Sequence, residues 1–375
     1  MTIRFVDLQA ETRFLRAQML RAWEATLDDA TFVGGQAVHI FEEHFAQYCG
    51  VPYAVGCGNG TDAIELALRA LSLPAGTKVI TSALTFVATV EAIELAGYTP
   101  ILVDCDVNTY LLNIDQVLAS WDNLVTVVIP VHLFGRPVDL GQLVSEVHRR
   151  GGYVIEDACQ AHGATVKSMR TGALADIGCF SFFPSKNLGA YGDGGAVVTQ
   201  NSLWYERIRR LGNHGVNTQK YDHRIVGRNS RLDALQARIL TVKLSFLEEW
   251  NERRRRYADL YRAGLHHLSD VILPPDDPPH IRSVYHVFPI RVPASLRNAL
   301  QQFLNNVGIE TNIHYPRPIH LLPAFRHLGY AAGSFPVAET VTEQFLSLPM
   351  HPFLTETQIE FICENITAFM RRKRP

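Results

Sequence analysis

Short apolar runs alternate with segments of helical periodicity through the first half of the chain. Between the runs at 53–56 and 78–81, apolar residues recur at helical spacing from Ala63 to Leu71 and stop before Pro74. Strands that alternate with helices predict an α/β fold whose mostly parallel sheet is covered on both faces. Further strands are predicted at 101–103, 125–131, 153–155 and 196–199.

In the C-terminal third the pattern changes, and one long helix is predicted over 242–268. This helix carries a glutamate and four arginines at 252–256, which we interpret as a solvated or subunit-facing surface. The proline-rich segment 273–279 excludes helix interior and central strand. We therefore predict a large domain over 1–245 and a smaller C-terminal domain over 246–375.

Composition and charge narrow the classes of protein that fit this pattern. Of 375 residues, 47% are apolar and 19% are charged, and the net charge is −2. Without a basic excess, nucleic acid is not expected as the main partner, whereas a small anion needs only a few local cations or a helix N-terminus. Six cysteines without a CxxC pair indicate reduced core thiols rather than a metal site or a disulfide scaffold.

Targeting and membrane signals are also missing from the sequence. The N-terminal segment carries charges throughout and lacks the apolar stretch of a signal peptide. No uninterrupted apolar run reaches the about 18 residues that a membrane-spanning helix needs. We expect a cytoplasmic protein without a membrane partner.

A glycine-rich turn, Gly56-Cys-Gly-Asn-Gly-Thr61, follows the first predicted strand and precedes a helix. Its glycines let backbone N–H groups approach a ligand closely, and the helix N-terminus favours an anion. It is not the dinucleotide fingerprint, because position 61 is threonine, and no P-loop lysine follows. The turn predicts a site for one phosphate, and a tight turn capped by Thr61 is the alternative.

Two carboxylates, Glu156 and Asp157, end the strand predicted at 153–155. Ligands of open α/β sheets bind at the carboxyl ends of the strands. Because successive side chains of a strand point to opposite faces, we expect only one of the two in a site. Loop-entry carboxylates on the surface are the alternative interpretation.

A single lysine, Lys186, follows the apolar run Phe180-Ser-Phe-Phe and precedes a glycine-rich turn. Burying an ammonium group is costly, so a lysine in this setting tends towards the neutral amine that forms a Schiff base with a carbonyl. The alternative is a lysine that extends from the strand end to solvent. Together with a phosphate site and a strand-end carboxylate, such a lysine meets the requirements of pyridoxal 5′-phosphate (PLP).

Seven segments carry a family resemblance: VGCGNGTDAIELALRAL, TSALTFVATVEAI, IPVHLFG, VIEDACQAHGA, FSFFPSKNLGAYGDGGAVVT, GRNSRLDALQA and NIHYPRPIH. The chain resembles the fold-type-I sugar-nucleotide aminotransferases of the DegT/StrS group from about residue 5 to residue 350. The resemblance implies PLP that interconverts with pyridoxamine 5′-phosphate, and a homodimer with shared active sites. The chain has lysine at position 186, where dehydratase members of the group have histidine. The resemblance therefore implies transamination.

The resemblance also implies roles for individual residues. Lys186 matches the Schiff-base lysine and proton shuttle, Asp157 matches the partner of the pyridine nitrogen, and Phe86 matches the aromatic side chain stacked on the ring. The remaining cofactor contacts that it implies are Gln160 near the ring hydroxyl, Gly60, Thr61 and Ser181 at the phosphate, and Asn229 at the phosphate of the neighbouring subunit.

Substrate residues are expected in two further segments. In His314-Tyr315-Pro-Arg-Pro-Ile-His320, the spacing does not fit a helical metal pair. The resemblance implies a substrate-facing loop there, and a rigid surface loop is the alternative. The segment 220–224, with Tyr221 and His223, is expected to approach the sugar nucleotide of the other subunit. Two positions depart from the family pattern, Arg238 after the QA pair and Leu322 where related chains tend to have glutamine.

These observations predict amino transfer from L-glutamate to a keto-deoxysugar nucleotide. The subgroup with HYPxPxH implies C-3 of a dTDP-3-keto-6-deoxyhexose, giving a dTDP-3-amino-3,6-dideoxyhexose. The alternatives are the same reaction at C-4, or on a UDP-linked keto sugar or uronic acid. From another class, the alternative is a non-catalytic PLP-binding regulatory protein.

Overall fold

The computed structural model describes residues 2–217, 219 and 221–373, so Lys220 of the predicted substrate segment lies outside the described residues. The strands are β1 Tyr53–Cys57, β2 Lys78–Ser82, β3 Thr99–Val103, β4 Val125–Ile129, β5 Tyr153–Asp157, β6 Thr165–Val166, β7 Met169–Arg170, β8 Ile177–Ser181, β9 Gly195–Thr199, β10 Ile281–Arg282, β11 Phe288–Arg291 and β12 Phe345–Leu348.

Helices separate most of these strands. They are α1 Leu8–Asp29, α2 Gly35–Cys49, α3 Gly60–Leu71, α4 Val87–Leu95, α5 Ile114–Ala119, α6 Gly141–Arg149, α7 Ser202–Gly212, α8 Ala234–Leu244, α9 Leu247–Leu265, α10 Ala294–Asn306, α11 Pro336–Gln344 and α12 Glu356–Lys373. Three 3₁₀ turns lie at Leu133–Gly135, Ile319–Leu321 and Pro323–Leu328.

The central sheet has seven strands in the order β1-β9-β8-β5-β4-β2-β3. Strands β8, β5, β4, β2 and β3 are parallel to their neighbours in this series, whereas β9 runs antiparallel to both β1 and β8. The predicted α/β architecture with a mostly parallel sheet is confirmed. Because the parallel strands end at one edge, the segments that follow β2, β4, β5 and β8 meet there.

Apolar side chains on both faces hold the sheet between its helices. In β4, Val127, Val128 and Ile129 are fully buried, as expected for a strand covered on both sides. Helix α3 is almost entirely inside the protein, with Ile64 and Leu66 inaccessible to solvent or nearly so. Each such side chain contributes about 1.5–3 kcal/mol to folding, so the helix that begins at the predicted phosphate turn is firmly fixed.

The predicted single helix over 242–268 is wrong, because α8 ends at Leu244 and α9 begins at Leu247. At the break, Ser245 Oγ donates a hydrogen bond to Val242 O at 2.7 Å. The Phe246 ring packs against Phe14 and Trp250 at centroid distances of 5.5 and 5.8 Å. No proline or glycine marks this break in the sequence. We propose the break as the boundary between the large and the small domain.

The interpretation of 252–256 as a solvated surface is wrong for Arg254. Its side chain is buried, and its Nη1 donates to Met350 O at 2.7 Å. The reason is helical spacing, which puts Arg254 on the same inward face of α9 as Trp250, Tyr257 and Tyr261, all of them buried. Burial lowers the pKa of the Arg254 guanidinium to about 10.

All six cysteines are free, and five of them are buried, so the prediction of unpaired core thiols is confirmed. The sixth, Cys159, is half-buried beside the cavity described below. Within the described residues, no helix combines the length and the apolar character that a membrane crossing needs.

Candidate active site

A cavity of about 620 Å³ lies at the carboxyl-terminal edge of the central strands. Its volume falls within the range of small-molecule sites, and its position is the one at which ligands of α/β sheets bind. The residues expected from sequence that line it are Gly60, Thr61, Phe86, Asp157, Gln160, Ser181, Lys186, His314 and Tyr315. Two further residues of the lining, His286 and Val287, come from the C-terminal half of the chain.

The N-terminus of α3 forms one wall of the cavity. Asn59 caps this helix, because its Oδ1 accepts a hydrogen bond from Asp62 N at 2.8 Å. The expected alternative of a turn capped by Thr61 is therefore wrong. A Cβ at Gly60 would lie 2.7 Å from Ser181 Cβ, so only glycine allows the helix to approach β8 this closely. Backbone N–H groups at a helix N-terminus, beside the Ser181 hydroxyl, are suited to a phosphate.

The residues on either side of Asn229 contact carboxylates in the first turns of α3. Ser230 Oγ donates to Asp62 Oδ2 at 2.6 Å, and the Arg228 guanidinium lies 2.9 Å from Asp62 Oδ1 and also pairs with Glu65. Asn229, between these two residues, is exposed and does not line the cavity. The flanking residues thus hold the segment against α3, while Asn229 itself stays on the surface.

The two carboxylates at the end of β5 have different surroundings, as the alternation of a strand predicts. Asp157 lines the cavity, and its Oδ2 accepts a hydrogen bond from Thr89 Oγ1 at 2.8 Å. Glu156 is fully buried on the other face, 2.9 Å from His132 Nε2. Glu156 also accepts hydrogen bonds from the backbone N–H groups of Gly172, Leu174 and Ala175. Glu156 therefore stabilises the fold, and Asp157 is the carboxylate available to a ligand.

Lys186 lies in the turn that follows β8 and lines the cavity. Burial lowers the pKa of its ammonium group, although Cys159 and Asp157 act in the opposite direction. A lower pKa increases the fraction of neutral amine, which is the nucleophilic form. The glycine-rich turn that follows Lys186 is stabilised by the buried Lys243, whose Nζ donates a hydrogen bond to Gly189 O at 2.6 Å.

Gln160 and Tyr315 join the two halves of the chain across the cavity. Gln160 Oε1 accepts a hydrogen bond from Phe134 N at 2.7 Å, and Gln160 Nε2 donates to the Tyr315 hydroxyl at 2.8 Å. The Phe86 ring lies 5.7 Å from the Tyr315 ring and is half-exposed at the cavity mouth. Burial raises the pKa of Tyr315, so its hydroxyl stays protonated.

Three expected substrate residues do not line the cavity. His320 is buried, with its Nε2 2.9 Å from Glu339 Oε1 and its ring packed on Phe335 at 4.8 Å. Its expected contact with substrate is wrong, because a short 3₁₀ turn directs the ring into the protein interior. Tyr221 and His223 lie in an exposed loop, where His223 Nδ1 hydrogen-bonds His214 O at 2.8 Å.

His286, Asn187 and Asn251 were missed in the sequence. Asn187 and Asn251 are buried and hydrogen-bonded to each other, and His286 Nδ1 lies 3.2 Å from Asn187 Oδ1. Asn187 directly follows Lys186 in the sequence, and this adjacency is a local signal that its side chain lies close to the active site. No pattern around His286 or Asn251 indicates that they meet it, since about 60 to 100 residues separate them in sequence.

The folded chain and its cavity match one family of enzymes in particular. Residues 14–367 match the sequence model of the DegT/DnrJ/EryC1/StrS aminotransferase family. The chain belongs to this family.

Individual relatives extend this match to the whole chain. A UDP-N-acetyl-3-dehydro-alpha-D-glucosamine 3-aminotransferase of Acidithiobacillus ferrooxidans is 43% identical over 364 residues, with 97% of each chain covered. A dTDP-3-amino-3,4,6-trideoxy-alpha-D-glucose transaminase of Streptomyces venezuelae is 39% identical over 371 residues, covering 98% of this chain and 96% of the relative. The crystal structure of S. venezuelae DesV in complex with a ketimine intermediate has a TM-score of 0.96 and 38% identity, covering 100% and 99% of the two chains.

As a member of the DegT/DnrJ/EryC1/StrS family, the protein is a PLP-dependent sugar-nucleotide aminotransferase. The predicted fold type, cofactor and enzyme class are confirmed. The family assignment leaves the sugar, the nucleotide and the amino donor undefined, because the relatives act on different sugar nucleotides.

Proposed function

We propose that this aminotransferase moves the amino group of L-glutamate to C-3 of a dTDP-linked 3-keto-6-deoxyhexose. The position is supported by the two relatives above, whose names both put the amino group at C-3 although their nucleotides differ. The alternatives are amination at C-4, or of a UDP-linked keto sugar or uronic acid. A cytoplasmic location is supported by the six free thiols.

The observation that carries the catalytic part is the convergence of Lys186, Asp157 and the α3 N-terminus on one cavity. These groups fit PLP: a nucleophilic amine for its aldehyde, a carboxylate for its ring nitrogen, and helix N–H groups for its phosphate. We propose that Ser181, Thr61 and Gly60 bind the phosphate. Phe86 is the proposed ring-stacking side chain, and Gln160 the proposed neighbour of the ring hydroxyl.

When bound, PLP supplies a pyridine ring that withdraws electrons from the carbon losing a proton. Asp157 would keep the ring nitrogen protonated through its negative charge. Thr89 Oγ1 and the Cys159 N–H hold this carboxylate in place by donating hydrogen bonds at 2.8 and 3.2 Å. Lys186 Nζ, as a neutral amine, would accept a proton from the bound reactants and return it, because its lowered pKa favours the unprotonated form. A positioned amine of this kind contributes about 10²–10⁴-fold to the rate.

A second subunit completes the proposed site. Asn229 is exposed on a segment fixed by Arg228 and Ser230, and it does not contact the cavity of its own chain. We propose that it reaches the cofactor phosphate of the partner subunit in a homodimer. Tyr221 and His223 lie on the same exposed stretch as Arg224, whose Nε lies 2.6 Å from Asp222 Oδ1. We propose that either Arg224 or Arg317, in the segment 314–320, supplies a cation for the diphosphate of the nucleotide.

The experiment is product analysis after incubation with L-glutamate and a panel of keto-sugar nucleotides. The panel contains dTDP-3-keto-6-deoxyhexose, its 4-keto isomer and a UDP-linked 3-keto sugar. NMR of the product should show the amino group at C-3 of the dTDP sugar. Amination of the 4-keto isomer, without reaction of the 3-keto sugar, would reverse the assignment of the carbon and leave the cofactor chemistry standing.

A further inference from the structure

Hydrogen bonds to two backbone carbonyls determine the orientation of the buried Asn187 amide. Asn187 Nδ2 donates to Val284 O at 3.0 Å and to Asn251 Oδ1 at 2.9 Å. Asn251 Nδ2 in turn donates to His162 O at 2.8 Å. Because a carbonyl oxygen only accepts, reversing either amide would place oxygen against oxygen. Asn187 Oδ1 is therefore left to face the remaining neighbour, His286.

The orientation of Asn187 decides which nitrogen of His286 carries the proton. His286 Nδ1 lies 3.2 Å from Asn187 Oδ1, which cannot donate. Nδ1 must therefore be the donor of this hydrogen bond. In a neutral imidazole only one nitrogen is protonated, so Nε2 has a free lone pair.

The His286 ring is held neutral by its surroundings. Burial is the largest cause that lowers the pKa of His286 well below its ordinary value, and the positive charges of Lys186 and Arg254 act in the same direction, as do His314 and His162. His286 lines the cavity, and within the described part of the chain no hydrogen bond uses its Nε2. A hydrogen-bond acceptor is thus presented in the active site.

The two other polar side chains that the C-terminal half contributes to the cavity, Tyr315 and His314, do not present a fixed hydrogen-bond acceptor. Tyr315 accepts its hydrogen bond from Gln160, so its own O–H remains as a donor. His314 Nδ1 lies 2.9 Å from Ser347 Oγ, a hydroxyl that can donate or accept, so its tautomer is not fixed. His286 differs from both, because its protonation is set by amides that are themselves fixed by the backbone.

We propose that His286 Nε2 accepts a hydrogen bond from a hydroxyl of the bound sugar, and that it is a specificity-determining residue of this aminotransferase. The inference rests on the proposed function. A lone pair repels the carboxylates of an amino-acid donor, whereas it attracts the O–H groups that a sugar carries. His286 therefore acts in the sugar half-reaction and distinguishes a hydroxyl from a hydrogen at one ring carbon.

Two substitutions separate the two nitrogens of the ring. In His286→Asn, the amide nitrogen takes the place of Nδ1 and keeps the bond to Asn187, but nothing remains at the place of Nε2. In His286→Gln, an amide oxygen reaches the place of Nε2 and restores an acceptor. Each half-reaction is followed separately through the cofactor spectrum, with L-glutamate for the first and dTDP-3-keto-6-deoxyhexose for the second.

His286→Asn should raise the KM for the sugar about tenfold, as expected for the loss of one hydrogen bond in a closed site. The KM for L-glutamate should change far less, and His286→Gln should recover part of the sugar affinity. Analogues of the sugar that each lack one hydroxyl identify the group that His286 contacts. The analogue without this hydroxyl should bind the wild type and His286→Asn equally well. ¹⁵N NMR of the wild type should show a protonated Nδ1 and an unprotonated Nε2 at His286.

Equal effects of His286→Asn on both half-reactions, or a protonated Nε2, would overturn the inference while leaving the proposed function intact. If the wild type reacts with L-glutamate but with none of the sugar nucleotides of the panel, the proposed function fails and the inference fails with it. The two failures are distinguishable, because the first is seen only in an enzyme that aminates a sugar.

Discussion

The two sides of the active-site cavity are assembled in different ways. The cofactor side consists of strand ends and one helix N-terminus, where Asp157, Ser181 and Gly60 occupy positions set by a seven-stranded sheet. The other side consists of His286, His314 and Tyr315, which irregular segments of the C-terminal half bring to the cavity. We propose that the cofactor chemistry is carried out on the sheet side, and that the irregular segments, which can differ between relatives, recognise the substrate.

The largest expected effect is that of removing the amine from the cofactor side. Lys186→Ala should lower turnover by at least about 10⁴-fold, because the attachment and the proton carrier are lost together. The purified variant should also lack the visible absorption of a cofactor bonded to lysine. Lys78→Ala, which removes only a surface ion pair with Asp122, is the control and should keep both. Turnover near the wild-type rate in Lys186→Ala would remove this residue from the mechanism.

The adjacent carboxylates of β5 provide a matched pair within the sheet. Asp157→Asn should lower turnover on the order of 10²–10³-fold with little change in stability, because the ring nitrogen loses its charged partner. Glu156→Gln should instead lower the free energy of unfolding by about 2–4 kcal/mol, since a buried, multiply bonded carboxylate is disturbed. Steady-state kinetics and denaturant unfolding measure the two effects. Exchange of the two phenotypes would contradict the assignment of the faces.

Asn229 tests whether the cofactor side of one subunit depends on the other. Asn229→Ala should weaken cofactor binding about 10- to 100-fold, as expected for a lost hydrogen bond to a charged group. When it is mixed with Lys186→Ala under subunit exchange, each heterodimer contains one intact site, so activity at limiting cofactor should partly return. Activity that never returns on mixing, or an Asn229→Ala enzyme with full cofactor affinity, would refute the shared site.

A smaller effect is expected at the α3 N-terminus. Gly60→Ala should weaken PLP binding about tenfold, because its Cβ would lie 2.7 Å from Ser181 Cβ and displace the helix terminus or the strand. Gly141→Ala, at the first residue of α6 with its nearest neighbour atom at 3.6 Å, is the control and should leave PLP binding unchanged. Fluorescence titration with PLP measures both, and equal affinities would exclude Gly60 from the phosphate site.

The same comparison explains what could be predicted from sequence. The cofactor side follows from contiguous signals, because a strand, its last polar residue and the next helix N-terminus are neighbours in the chain. Lys186, Asp157 and the turn at Gly60 were therefore found together with the sheet that positions them. The break at Phe246 was not, since no proline or glycine marks it and the contact of the Phe246 ring with Phe14 of α1 forms only in the folded protein.

The positions of several side chains in the C-terminal half could not be predicted, because no contiguous signal determines them. His320 belongs to the same short motif as His314 and Tyr315, yet a 3₁₀ turn buries it against Glu339 instead of the cavity. His286 has no motif of its own, and only its contact with Asn187 reveals its tautomer. Arg254 is a different case, because its helical spacing with Trp250 and Tyr257 is a local signal of an inward position. The interpretation of 252–256 as a solvated surface did not take this spacing into account.

The most direct test of the account is a complete cycle of the cofactor spectrum in the purified enzyme. Addition of L-glutamate should remove the visible absorption of the PLP form, and addition of dTDP-3-keto-6-deoxyhexose should restore it, with one amino sugar formed per active site. Lys186→Ala should show neither change. Loss of the absorption with glutamate, followed by no recovery with any keto-sugar nucleotide, would contradict the proposal that this cavity aminates a nucleotide-linked sugar.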